Sequence, residues 1–82
     1  MTMNERPVQT LDMKGMSCPM PLIWARNMMD MLAPGDTLEV LATDPETIRD
    51  FQAYAGSTGH DLLEWSEARG QVRILMRKGL PI

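Results

Sequence analysis

Cys18 is the only cysteine in a chain of 82 residues, and it stands in the run Ser17-Cys18-Pro19-Met20-Pro21. A single thiol excludes an intramolecular disulfide, a Cys-x-x-Cys redox pair and a multi-cysteine zinc site. Three roles remain: a buried inert thiol, a reactive thiol, or a thiol that pairs with another molecule. The prolines bear on this choice, because proline is accepted in the first turn of a helix, where its missing N–H would have had no partner. Cys18 is therefore expected as the N-cap of a helix. Its sulfur would face unpaired backbone N–H groups and the positive end of the helix dipole. Helix N-termini lower a thiol pKa from about 8.5 by one to several units, and the same setting would favour a persulfide anion. Pro19 and Pro21 stiffen the approach and fix the position of the sulfur, with Lys14 and Arg26 as candidate cationic neighbours. Free cysteine is also among the most buried residue types, so a structural Cys18 stays open as the alternative. His60, the only histidine, could be imagined as a base for the thiol, although a loop position at the start of a strand is the plainer reading. No metal site and no cofactor are expected.

The elements that must position Cys18 follow from hydropathic period. Gln9-Thr10-Leu11-Asp12 forms a short strand closed by Lys14-Gly15. After the Cys-Pro-x-Pro run, Leu22, Ala25, Met28, Met29 and Leu32 recur at helical spacing, and Ala33-Pro34-Gly35-Asp36 ends that helix. Thr37–Thr43 is a strand with Leu38, Val40 and Ala42 on one face. Asp44 is expected to N-cap a second helix with Pro45 at its first position and Ile48, Phe51, Tyr54 and Ala55 inward. Two further strands, Asp61–Ala68 and Gln71–Lys78, flank a tight turn at Arg69-Gly70 and form an antiparallel hairpin. Leu63 and Trp65 are expected to share a face, with Trp65 in the core. The order β-α-β-α-β-β predicts an α/β (α+β) two-layer sandwich, with a mixed four-stranded sheet and both helices on one side. Residues 1–8 read as an N-terminal arm, 9–79 as one domain and 80–82 as a tail.

Composition narrows the classes of function. A chain this short buries only roughly 60% of its unfolded surface, so a shallow site or action through a partner is expected. Hydrophobic residues make up 44% and charged residues 23%, an ordinary globular balance. No apolar run approaches the roughly 20 residues of a spanning helix. The polar start Met1–Pro7 has no apolar signal core, which predicts a cytoplasmic protein without membrane contact. A net charge of -3 argues against direct nucleic-acid binding, although Lys14, Arg49, Arg73, Arg77 and Lys78 could form a local basic patch. Nine methionines are present. Met16 and Met20 flank the cysteine and suit an adaptable partner-docking collar, and Trp24, off the buried stripe of its helix, is a docking candidate with them.

The stretch Leu11-Asp12-Met13-Lys14-Gly15-Met16-Ser17-Cys18-Pro19-Met20-Pro21-Leu22 resembles the signature of the TusA/SirA/YedF family: a Leu-Asp, a basic-Gly pair, then Cys-Pro-x-Pro. The similarity continues through Pro34-Gly35-Asp36, Asp44-Pro45, Arg49-Asp50, Gly59-His60-Asp61-Leu62-Leu63 and Arg77-Lys78-Gly79. It implies a sandwich similar to the C-terminal domain of bacterial translation initiation factor three, with sheet order 1-2-4-3 and the last strand antiparallel to the others. It also implies a sulfur carrier and not an enzyme. Such a carrier accepts sulfane sulfur as a persulfide on Cys18 from a cysteine desulfurase or rhodanese. It passes that sulfur to a DsrE-like, TusD-like or other thiol protein, in tRNA thiolation, molybdenum-cofactor maturation or sulfur metabolism. The two motif prolines of the family correspond to Pro19 and Pro21. Met20 stands where tRNA-thiolating members often carry Glu, and Phe51-Gln52 where Ile-Pro is common. The competing reading is a regulatory or protein-interaction module with a structural Cys18, and exposure of the sulfur discriminates the two.

Overall fold

A computed structural model describes residues 8–79. Its elements are β1 (Val8–Met13), α1 (Met20–Met31), β2 (Thr37–Ala42), α2 (Glu46–Ser57), β3 (Asp61–Ala68) and β4 (Gln71–Arg77). The sheet order is β1-β2-β4-β3. β1 and β2 are parallel, and β4 runs antiparallel to both β2 and β3. This is the four-stranded mixed sheet expected from the element order. Val8, assigned to the arm, belongs to β1. The rest of the arm, and the tail 80–82, lie outside the described residues.

Period-two alternation places Leu38, Val40 and Ala42 of β2 and Val72, Ile74 and Met76 of β4 on one buried face. Ala25 and Met29 of α1 and Phe51 of α2 close over them, each without exposed surface. Leu22, Met28 and Leu32 of α1, and Ile48, Tyr54 and Ala55 of α2, pack around this core while partly buried. α1 lies against β1 and β2, and α2 against β3 and β4. The opposite sheet face carries a polar ladder. Glu39 accepts hydrogen bonds from Thr10 Oγ1 at 3.0 Å and Arg73 Nε at 2.6 Å, and Arg77 Nη2 meets Asp61 at 2.9 Å. Arg73, then Thr10, holds the Glu39 carboxyl below the usual carboxylate range.

Two local expectations need correction. The β3–β4 turn places Arg69 at φ 55° and Gly70 at φ 77°, the paired positive values that match the twist of a two-residue hairpin. On β3, however, the register slips between Leu62 and Glu64. A bulge adds one residue, so strict alternation fails across it. Leu62 and Trp65, rather than Leu63 and Trp65, therefore oppose the buried Met76 and Ile74. Because β3 is an edge strand, Trp65 is 49% exposed and not a core residue.

Candidate functional site

β1 and β2 are parallel, so their C-terminal ends lie side by side, and the loops that follow them meet. The first loop carries Cys18 and the second carries Asp44 into α2. A turn at Met13–Met16, closed by Met16 N–H donating to Met13 O at 3.1 Å, sets Gly15 at φ 87°, a conformation glycine adopts without steric cost. Gly15 N–H donates to Thr43 Oγ1 at 2.9 Å, fastening the first loop to the end of β2. Cys18 N–H donates to Asp44 Oδ2 at 2.8 Å, while Asp44 Oδ1 accepts the Glu46 N–H at 3.0 Å. One carboxylate thus ties the cysteine loop to the start of α2. These two backbone donors, Cys18 first, hold the Asp44 carboxyl below its ordinary pKa.

α1 begins one residue later than expected. Pro19, not Cys18, is the N-cap, and Pro21 occupies the first turn and is buried. The Cys18–Pro19 peptide is cis. Met20 N–H donates to Ser17 O at 2.9 Å, Pro21 has no N–H, and Ile23 N–H donates to Pro19 O at 3.0 Å. The helix end therefore presents far fewer free donors than the N-cap reading required. α2 shows the same shift: it starts at Glu46 with Pro45 as N-cap, although the Asp44 carboxylate still takes a first-turn N–H.

The half-buried Cys18 thiol instead donates a hydrogen bond to Asp50 Oδ2 of α2. This reverses the electrostatics anticipated for the sulfur. The Asp50 hydrogen bond, then burial, then the charges of Asp50, Asp44 and Glu46, push the thiol up from 9.0 to about 11. A carboxylate that accepts the proton stabilises the thiol, and a neighbouring negative charge opposes the thiolate. Lys14 and Arg26 are not among the groups that shift the thiol. Lys14 Nζ lies 3.8 Å from Asp12, and Arg26 lines an open groove between α1 and α2 with Leu22, Asp50 and Tyr54. Asp50 was missed as a sulfur contact, although Arg49-Asp50 was among the residues carrying the resemblance.

The stretch that carries Cys18 exposes several large apolar side chains. Met16 is 42% exposed, Met20 39% and Trp24 46%, and Ile23 joins them on α1. His60 is not paired with Cys18. Its Nδ1 accepts the Gly79 N–H at 3.0 Å and its ring packs on Tyr54. Each basic residue of the expected patch has a local partner: Lys14, Arg49, Arg73 and Arg77 each face a carboxylate, and Lys78 Nζ donates to Met29 O. Among the described residues no cluster of His, Cys, Asp and Glu could hold a metal ion, and no helix is long and apolar enough to cross a membrane.

An α/β sandwich with a half-exposed thiol beyond the ends of two parallel strands defines a class of small thiol-bearing domains. Residues 9–78 match the profile of the family described as Sulfurtransferase TusA, and the chain belongs to that family. It is 39% identical over 70 residues to the sulfur carrier protein TusA of Allochromatium vinosum, covering 85% of this chain and 92% of that protein. It is 41% identical over 68 residues to the sulfur carrier protein TusA of Pseudomonas aeruginosa, covering 83% and 86%. The fold matches the crystal structure of a SirA-like protein from Desulfitobacterium hafniense with a TM-score of 0.76. That likeness, at 24% identity, covers 90% of this chain and all of the other.

Proposed function

We propose that this chain is a cytoplasmic sulfur carrier that holds one sulfane sulfur on Cys18 as a persulfide. The observation that carries the reading is a lone thiol, partly exposed at the meeting of two loops, in a stretch whose Met16, Met20 and Trp24 side chains are exposed. In loading, the Cys18 thiolate attacks the outer sulfur of a donor persulfide. The Sγ–S bond forms, the donor S–S bond breaks, and the electron pair leaves with the donor thiolate. In delivery, an acceptor thiolate attacks the same outer sulfur, and Cys18 departs with the electron pair and takes up a proton. No resolving cysteine is needed, in keeping with a sequence that has one. The donor fits a cysteine desulfurase or rhodanese, and the acceptor a DsrE-like or other thiol protein. The apolar collar supplies the docking surface for both, because methionine and tryptophan adapt to different partners while excluding water from the reacting sulfurs. Pro19 and Pro21 hold the loop that presents the sulfur.

The reading is tested by mass spectrometry after incubation with free cysteine and a cysteine desulfurase, without reductant. The wild type is expected to gain one sulfur atom per chain and Cys18→Ser none. A wild type left unmodified by desulfurase, rhodanese and inorganic polysulfide alike would sink it.

A further inference from the structure

The Cys18 proton points at Asp50 Oδ2 across a direct hydrogen bond, and the Asp44 and Glu46 carboxylates stand nearby. The charges that act on the thiol are those of Asp50, Asp44 and Glu46, so its surroundings favour one of the two states a carrier must visit. When empty, Cys18 is a thiol and its proton is shared with Asp50. When loaded, the terminal sulfur carries a negative charge and has no proton to give, so it loses that hydrogen bond and meets the Asp50 charge instead. A donor that gains a charged acceptor is stabilised, and like charges at close range are destabilised.

We propose that Asp50 is a positioning residue that sets how tightly the carrier holds its sulfur: its carboxylate stabilises the empty thiol against the loaded persulfide and thereby favours delivery. The inference rests on Cys18 being the sulfur-bearing residue. Its balance is explicit for a small-molecule partner. Cys18–SH plus glutathione persulfide anion gives Cys18–S–S⁻ plus glutathione thiol. One sulfur atom and one proton exchange places, the total charge is unchanged, and no oxidant or reductant enters. Asp50 acts on the two protein species alone, so its effect is read in the equilibrium constant of this exchange.

The experiment equilibrates the full chain with defined mixtures of glutathione persulfide and glutathione, without oxygen at neutral pH, and counts loaded and empty carrier by intact mass. Asp50→Asn removes the largest cause that lifts the thiol from 9.0 to about 11 and leaves burial, Asp44 and Glu46 in place. The loaded fraction ratio is therefore expected to rise about tenfold over wild type. Asp50→Glu, which keeps the charge, is expected to move the ratio back toward wild type, and Asp50→Ser to behave as Asp50→Asn. Glu46→Gln, which changes charge by the same amount without touching the sulfur, is expected to have a smaller effect. An Asp50→Asn or Asp50→Ser ratio within twofold of wild type, or a shift toward the empty form, would overturn the inference while leaving the carrier reading intact. A wild type that takes up no sulfur from any donor would overturn both.

Discussion

Replacing Asp50 by Asn should make the free Cys18 more reactive toward a small alkylating reagent, although most substitutions beside a functional thiol are expected to impair it. The thiol sits at about 11, raised from 9.0 chiefly by the Asp50 hydrogen bond, with burial and the charges of Asp50, Asp44 and Glu46 adding to it. At neutral pH a thiol at that value is about one part in 10⁴ thiolate, against about one part in 100 at its ordinary value. Asparagine removes the Asp50 charge but leaves burial, Asp44 and Glu46, so the thiolate fraction should rise about thirtyfold rather than the full hundredfold. Nucleophilicity falls as the pKa falls, with a Brønsted slope of about 0.4 to 0.5, which returns about a fivefold loss. The net expectation is alkylation by iodoacetamide about five- to tenfold faster than wild type at neutral pH. The rate is followed by intact mass under pseudo-first-order conditions. The pH profile carries the same information: the wild-type rate should keep climbing until about pH 11, whereas that of the variant should level off earlier. Equal rates at neutral pH, or a slower variant, would refute the assignment of Asp50 as the source of the raised pKa.

Other outcomes follow from the same geometry. The raised thiol pKa stabilises the fold fully below pH 9.0, and that contribution is lost as pH climbs toward about 11. The stability difference between wild type and Cys18→Ala, from urea titrations, should therefore be constant at neutral pH and shrink across that alkaline window. Asp44→Ala removes the acceptor of both the Cys18 and the Glu46 N–H, so those two amides should exchange with deuterium faster while the β2 and β4 amides keep their protection. Phe51 is fully buried between α2 and the sheet, and Phe51→Ala should cost about 3 to 5 kcal/mol of unfolding free energy in urea, with a cost under about 1 kcal/mol contradicting its place in the core.

The sheet and both helices were legible because their signals are local and repeat: Leu38, Val40 and Ala42 at period two, Ala25 and Met29 at helical spacing, and a hairpin turn at Arg69-Gly70. The β3 bulge was not legible, since one inserted residue leaves no mark in composition yet puts Leu62 instead of Leu63 on the face of Trp65; the exposure of Trp65 comes from its place on an edge strand. The position of Cys18 was legible from its prolines, while its electrostatics were not. The motif prolines bear only on α1, whereas the charge that dominates the sulfur comes from Asp50 of α2, brought near by the parallel pairing of β1 with β2. Of the two cations considered, Lys14 meets Asp12, and Arg26 lines the groove that is also lined by Asp50, the sulfur's partner.

The account stands most directly on whether Cys18 gives its sulfur up again. The carrier is loaded with isotopically labelled sulfane sulfur, freed of donor, and mixed with an excess of a low-molecular-weight thiol. The account predicts that the label leaves as one atom per chain and that Cys18 returns as a free thiol open to reloading. Label that stays on the protein, or that sits on any residue other than Cys18, would contradict it.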